Sequence, residues 1–140
     1  MIDRKLKVLY GGILVLFILS CILGLYRFHN AEKGKVDISY LVVDNIQNNS
    51  YSVSCDVKNL VNLPYLRMMT VYYDKYDNKL HENLNASKAD FLQIKESKRF
   101  IEFPHDFSEK PALVDIYFFD QDRDSNPVSS IYHTSLQINN

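Results

Sequence analysis

The sequence predicts an all-β domain, an immunoglobulin-like antiparallel β-sandwich, preceded by one N-terminal transmembrane helix. Two patterns predict it. Residues 8–26, VLYGGILVLFILSCILGLY, carry no charged side chain between Lys7 and Arg27. Beyond residue 35 the apolar residues change to period two, in short runs separated by Asn, Asp and Pro. A chain of 140 residues has room for the span and one small domain.

The apolar run comes first. Its 19 residues rise roughly 28 Å as a helix, close to the hydrocarbon thickness of a bilayer. Only a helix satisfies such a backbone in lipid. The expected organisation is a cytoplasmic head over 1–7, a signal anchor over 8–26, a linker over 27–35 and an extracytoplasmic β-domain over 36–140. The run exceeds the usual h-region of a cleaved signal peptide, and no A-x-A-like site closes it. Ile18-Leu19-Ser20-Cys21 resembles the lipobox of bacterial lipoproteins. Against that reading, Leu19 is bulky and residues 22–26 continue the apolar run where polar residues would normally follow. A single-pass anchor is therefore preferred, with a ligand- or ion-binding lipoprotein held through Cys21 as the alternative.

Orientation rests on a near tie. Arg4, Lys5 and Lys7 face Arg27, Lys33 and Lys35 across the span. The free α-amino group and the short head with its long tail favour a cytoplasmic N-terminus, which puts the domain outside the cell membrane. Tyr10 and Tyr26 fit the interfacial aromatic belt, and Ser20-x-x-x-Gly24 is a small-residue pair able to seat a partner helix.

Charge is divided unevenly. Residues 1–35 carry six Lys/Arg against two Asp/Glu, and residues 36–140 carry ten against fifteen. The basic end suits anionic headgroups. The acidic remainder argues against nucleic acid as a partner, since binding it needs a clustered positive face.

The strands follow in order. Val36, Ile38, Tyr40 and Val42 alternate with Asp37, Ser39 and Leu41. Val53, Cys55 and Val57 alternate with polar neighbours, and Arg67–Tyr73 is rich in β-branched and aromatic residues. Arg99–Phe103 is a short run ended by Pro104. Val114, Ile116 and Phe118 share a face opposite Asp115 and Tyr117, and Tyr132, Thr134, Leu136 and Ile138 are in phase. Turns are expected at Asn48-Asn49-Ser50, Asn62-Leu63-Pro64, Asp77-Asn78, Pro104, Pro111 and Ser125-Asn126-Pro127. Residues 82–98 are the least determined, with a strand around Phe91–Ile94 or a short helix as the alternatives. Six or seven short strands at this spacing predict the sandwich.

Val57-Lys58-Asn59, the strand Leu66–Asp74 and the Lys75–Lys79 turn resemble FxLYD-type domains, small β-sandwiches of bacterial and archaeal surfaces. The resemblance covers residues 36–119. It departs where Asn78 replaces a usual turn Gly, and where Thr70 and Tyr72 stand for Phe and Leu. The resemblance implies a surface-facing, non-catalytic module with no catalytic residues to carry over.

Asp120, Asp122 and Asp124 have the D-x-D-x-D spacing that opens a calcium loop, but Ser125 and Ile131 occupy the positions where an EF-hand needs Gly and Glu. The weightier reading is an exposed acidic loop. Of the four histidines, His29, His81, His105 and His133, only His105 adjoins an acid, Asp106. Neighbours on a strand point to opposite faces, so the pair makes a poor dyad. There is no G-x-S-x-G, HExxH, P-loop or G-x-G-x-x-G. No enzyme activity and no cofactor are expected. Cys55 reads as a small buried hydrophobe. Asn48 and Asn85 begin N-glycosylation sequons, a number near chance in an Asn-rich chain. Ten tyrosines without Trp suit either half-buried β faces, the preferred reading, or a contact surface. The function expected from these features is a membrane-anchored binding module of a cell envelope or surface, with a protein partner in the membrane or envelope.

Overall fold

The computed structural model describes residues 4–32 and 34–139, with helix side chains described over residues 6–23. The chain divides into two compact units, Met1–Lys33 and Gly34–Asn140. The described residues of the first form a single helix, α1 (Arg4–Glu32). Its described side chains all stand exposed, and the apolar segment Leu6–Leu23 is long enough to cross a bilayer, as either an anchor or a signal sequence. The helix runs six residues past the apolar run, through part of the expected linker. The side chains of Arg4, Lys5, Gly24, Tyr26, Arg27, His29 and Lys33, which bear on orientation and helix packing, lie outside those described.

The second unit is a β-sandwich of eight strands among the described residues: β1 (Val36–Gln47), β2 (Ser50–Asn59), β3 (Leu63–Tyr73), β4 (Lys79–Leu92), β5 (Ser97–Ile101), β6 (His105–Asp106), β7 (Leu113–Phe119) and β8 (Tyr132–Gln137). One sheet runs β1-β2-β5, with β6 pairing β2 beyond the end of β5; the other runs β4-β3-β7-β8. Every pairing is antiparallel. The period-two runs of β2 and β7 turn Val53, Cys55, Val57, Val114, Ile116 and Phe118 into the space between the sheets. Phe100 and Phe118, from opposite sheets, meet edge to face at 5.6 Å. Tyr132 and Leu136 of β8, and Ile138 just after it, pack on this core.

Four details depart from the sequence reading. In β1 the alternation breaks between Ser39 and Val42, where Tyr40 adopts φ 49°. This bulge moves Leu41 and Val43 onto the core and leaves Tyr40 and Val42 exposed. Leu63 and Pro64 belong to β3 rather than to a turn. In the β3–β4 turn the residue with positive φ is Asp77, at 64°, rather than Asn78, which stands at the usual turn-Gly position of the resemblance. There the Asp74 carboxyl accepts from the backbone N–H of Tyr76 and Asn78 and from the Asn78 amide, so side-chain bonds shape the turn without glycine. Finally, residues 79–92 form one 14-residue strand. Its alternation is hidden by a bulge, because Met68 pairs Ser87 while Thr70 pairs Asn83.

Truncating Phe118 tests the core assignment. Phe118→Ala is expected to lower the unfolding free energy of the full chain by about 3–5 kcal/mol in denaturant titration. Phe103→Ser, at a position 88% exposed, is expected to change it by less than about 0.5 kcal/mol.

Candidate functional site

The acidic loop 120–126 joins β7 to the last strand, and its carboxyl groups turn to separate partners. Asp120 is ion-paired with Lys35 at 2.6 Å, and Asp122 accepts from the Tyr65 hydroxyl at 2.9 Å. Asp124 accepts from the Asn126 backbone N–H at 2.9 Å. Bonds from Ser129 first, then from Asn126, hold its carboxyl below the usual range. Among the described residues no three His, Cys, Asp or Glu side chains gather closely enough to hold a metal ion. The loop is instead fastened by Arg67. This buried side chain of β3 donates to the Asp124 carbonyl, to Ser125 Oγ at 3.2 Å and to the Leu84 carbonyl at the β4 bulge. It lies over the Phe119 ring at 4.8 Å. Beneath it Met69, Val71, Tyr117 and Phe119 form a small second apolar cluster on the outer face of the β4-β3-β7-β8 sheet.

The densest polar cluster lies between the sheets, and sequence reasoning missed it. Glu102 follows β5 and is 1% exposed. One carboxyl oxygen accepts from Thr70 Oγ1 at 2.5 Å and Asn83 Nδ2 at 3.1 Å. The other accepts from Tyr72 Oη at 2.6 Å and the Val53 backbone N–H at 3.1 Å. Two carboxyl oxygens offer about four lone-pair sites, so internal donors fill the group's capacity. Burial, and next the neighbouring Glu102, push the Tyr72 hydroxyl far above its ordinary pKa.

At the rim of this cluster His81 of β4 and His105 of β6 stack across the seam between the sheets, ring centres 3.6 Å apart and planes 5° from parallel. Phe107 meets both edge-on, at 6.0 Å and 4.7 Å, and lies 4.8 Å from Tyr72 and 6.1 Å from Tyr51. Burial first, and the neighbouring His105 second, hold His81 below its ordinary pKa of 6.5. His105 is thus the partner of His81 rather than of Asp106. The two are separated by 24 positions and by two strand connections, so no local spacing announces them. Chemically the cluster can hold a carboxyl group and shield it; its oxygens are spent on internal donors.

The other candidate positions lie apart. Cys55 is wholly buried, and its thiol is pushed up to about 12, chiefly by burial. Cys21 is exposed on α1. Asn48 is exposed in the β1–β2 turn, where it and Asn49 take φ 32° and 64°, and Asn85 is exposed in the β4 bulge. His133 stacks on Tyr117 at 4.4 Å. Burial first, and Asp115 second, push the Tyr117 hydroxyl up to about 12.

The outer face of the β1-β2-β5 sheet is the contrasting surface. Val42, Ser54 and Ile101 form one cross-strand row on the side away from the core. Val42 and Ile101 are exposed there, Ser54 is shaded between them, and Ile46 and Phe103 add further exposed apolar surface.

No protein-family model matches the chain, and comparison with curated proteins finds no match. Among solved structures, a penta-heme cytochrome c552 from Thermochromatium tepidum is similar with a TM-score of 0.51 at 11% identity, over 79% of this chain and 41% of that one. A GH3 beta-glucosidase from Bifidobacterium adolescentis gives 0.43 at 13% identity, over 76% of this chain and 17% of that one. Beta-glucosidase 3B from Thermotoga neapolitana, in complex with glycerol, gives 0.42 at 12% identity, over 77% and 16%. The chain spans less than half of each, and at 11% identity the likeness to the cytochrome is one of fold alone.

Two outcomes test the cluster. Glu102→Ala leaves several buried donors without an acceptor and is expected to cost at least about 3 kcal/mol in denaturant titration, with Tyr72→Phe costing less. A second test is pH. Because His81 binds its proton less readily folded than unfolded, its contribution is full above pH 6.5 and is lost as pH falls through 6.5 toward the lower folded value. Thermal melting followed from pH 7.5 to 5 should therefore show a decline that His81→Gln reduces.

Proposed function

We propose that the chain is a single-pass, membrane-anchored, non-enzymatic binding module that displays its sandwich outside the cytoplasm, in a cell envelope or surface. The observation that carries this reading is the distribution of chemistry over the sandwich. The Glu102 carboxyl, the Tyr72 hydroxyl and the Cys55 thiol are directed inward. Apolar side chains such as Phe103, Ile101 and Ile46 are directed outward. A catalytic site needs reactive groups open to a substrate, whereas exposed apolar surface rimmed by polar residues is what partners bind. The apolar helix supplies the means of holding such a surface at a membrane. The partner is a protein of the same membrane or envelope, met by the sandwich.

Charge placed in the helix tests the anchor. Leu16→Arg with Phe17→Asp is expected to abolish membrane retention, since charges at a helix centre cost about 2.5–3.5 kcal/mol each on insertion scales. In the unaltered protein a C-terminal tag should be digested by protease only from the extracytoplasmic side. A tag reached only from the cytoplasm would overturn the display, and an N-terminus beginning at a lipidated Cys21 would replace the anchor by the lipoprotein.

A further inference from the structure

Four large apolar side chains, Leu60, Val61, Phe91 and Ile94, stand exposed at one end of the sandwich. Hydrogen bonds gather them into one patch. The Asn59 backbone N–H donates to the Glu96 carbonyl at 2.9 Å, that of Lys95 to the Asn59 carbonyl at 2.8 Å, and that of Ile94 to Asn62 Oδ1 at 2.7 Å. The loop after β2 and the turn after β4 are thereby locked together. The Leu60 N–H donates to the Lys35 carbonyl at 2.9 Å, which puts the patch beside the residue through which the chain passes into β1.

The backbone is bent to present these side chains. Phe91 takes φ 45° and Lys95 φ 66°, a region that residues with a Cβ seldom adopt. Leu92 goes into the core at 2% exposed while Phe91, its neighbour, is turned out at 64%. Lys58, Lys95 and Lys98 stand exposed around the patch, and the Glu96 carboxyl is engaged by the Gln93 N–H at 2.8 Å.

We infer that this patch rests on the phospholipid surface of the membrane that α1 crosses, with Phe91 and Ile94 entering the headgroup layer. The inference rests on the membrane-anchor reading and deepens it. Its main support is the length of chain available. The helix continues six residues beyond the apolar run, about 9 Å, enough to cross a headgroup layer of roughly 5–8 Å. Only residues 33–35 then separate the helix from β1. The end of the sandwich where β1 begins is consequently tethered within about 10 Å of the outer edge of the headgroup layer, and it is this end that carries the exposed apolar residues. Lysines beside apolar side chains suit that layer, where the stems lie along lipid and the ammonium groups meet phosphate.

Site-directed spin labelling of the full chain in phosphatidylcholine–phosphatidylglycerol vesicles tests the inference. Single nitroxides are placed at Phe91→Cys, Ile94→Cys, Tyr76→Cys in the β3–β4 turn, and Leu16→Cys in the span, each with Cys21→Ser. Cys55, wholly buried, is left in place. Collision with oxygen, which concentrates in lipid, is compared with collision with a water-soluble nickel chelate. The expected result is an oxygen-to-nickel ratio several-fold higher at 91 and 94 than at 76. If 91 and 94 match 76 while 16 reports lipid, the anchor stands and the surface contact is overturned. If 16 reports water as well, the anchor reading fails first. Labels at 91 and 94 shielded from both reagents would mean that protein covers the patch, which also overturns the inference.

Discussion

The carboxyl group of Glu102 reaches out of one sheet and takes hydrogen bonds from β2, β3 and β4, so that a single side chain is shared by both halves of the sandwich. A carboxyl group in an apolar interior is costly unless its oxygens are satisfied. Its partners must therefore arrive together, at fixed distance and angle. Apolar contacts between sheets impose no such condition, because burial is nearly indifferent to direction. The mutual placement of the sheets near this point accordingly follows from Glu102. The Phe100–Phe118 contact and the surrounding aliphatic residues supply adhesion but little direction.

Local structure bends to serve this arrangement. The β5 ladder stops at Ile101, and Pro104, which lacks an N–H, separates it from β6. Between them Glu102 stays on β2 through its own backbone N–H to the Val53 carbonyl at 2.9 Å, while its carbonyl accepts from Ser52 Oγ at 2.6 Å. On the opposite sheet the β4 bulge lets Thr70 pair Asn83, whose amide then reaches the carboxyl group. The same bulge offers the Leu84 carbonyl to Arg67, which also ties down loop 120–126. One irregularity in β4 thus serves the interior and the outer face together. The aromatic and histidine rings at positions 51, 72, 81, 105 and 107 close the seam over the carboxyl group and keep water from competing for its donors.

What the sequence made legible divides along the same line. β2 and β7 could be read residue by residue, because each buries one face without interruption and period two survives. The phase of β1 was lost at Tyr40, and β4 was read as ambiguous, because bulges insert residues that break the period. The cluster around Glu102 was invisible for another reason. Its members come from three strands and the residue after β5, and nothing in the run Phe100–Phe103 distinguishes an inward glutamate from an ordinary edge charge. The spacing of Asp120, Asp122 and Asp124 was the opposite case, a visible pattern whose members turn to Lys35, Tyr65 and Asn126. Local spacing reports backbone geometry well; it does not report which distant strands will meet.

This division also bears on function. In a domain that works by acid–base or nucleophilic chemistry, the perturbed groups face a cleft that substrate can enter. Here Tyr72 and Cys55 are displaced from their ordinary pKa by burial, and Glu102 is occupied on both oxygens from within. Their work is done in holding the sandwich together. The unspent capacity of the domain lies in its uncovered apolar side chains, several of which gather in two places, the outer face of β1-β2-β5 and the end where the chain passes into β1. On the reading proposed above, a sandwich with inward polar bonds and outward apolar surfaces holds one surface against a membrane and offers the other to a partner.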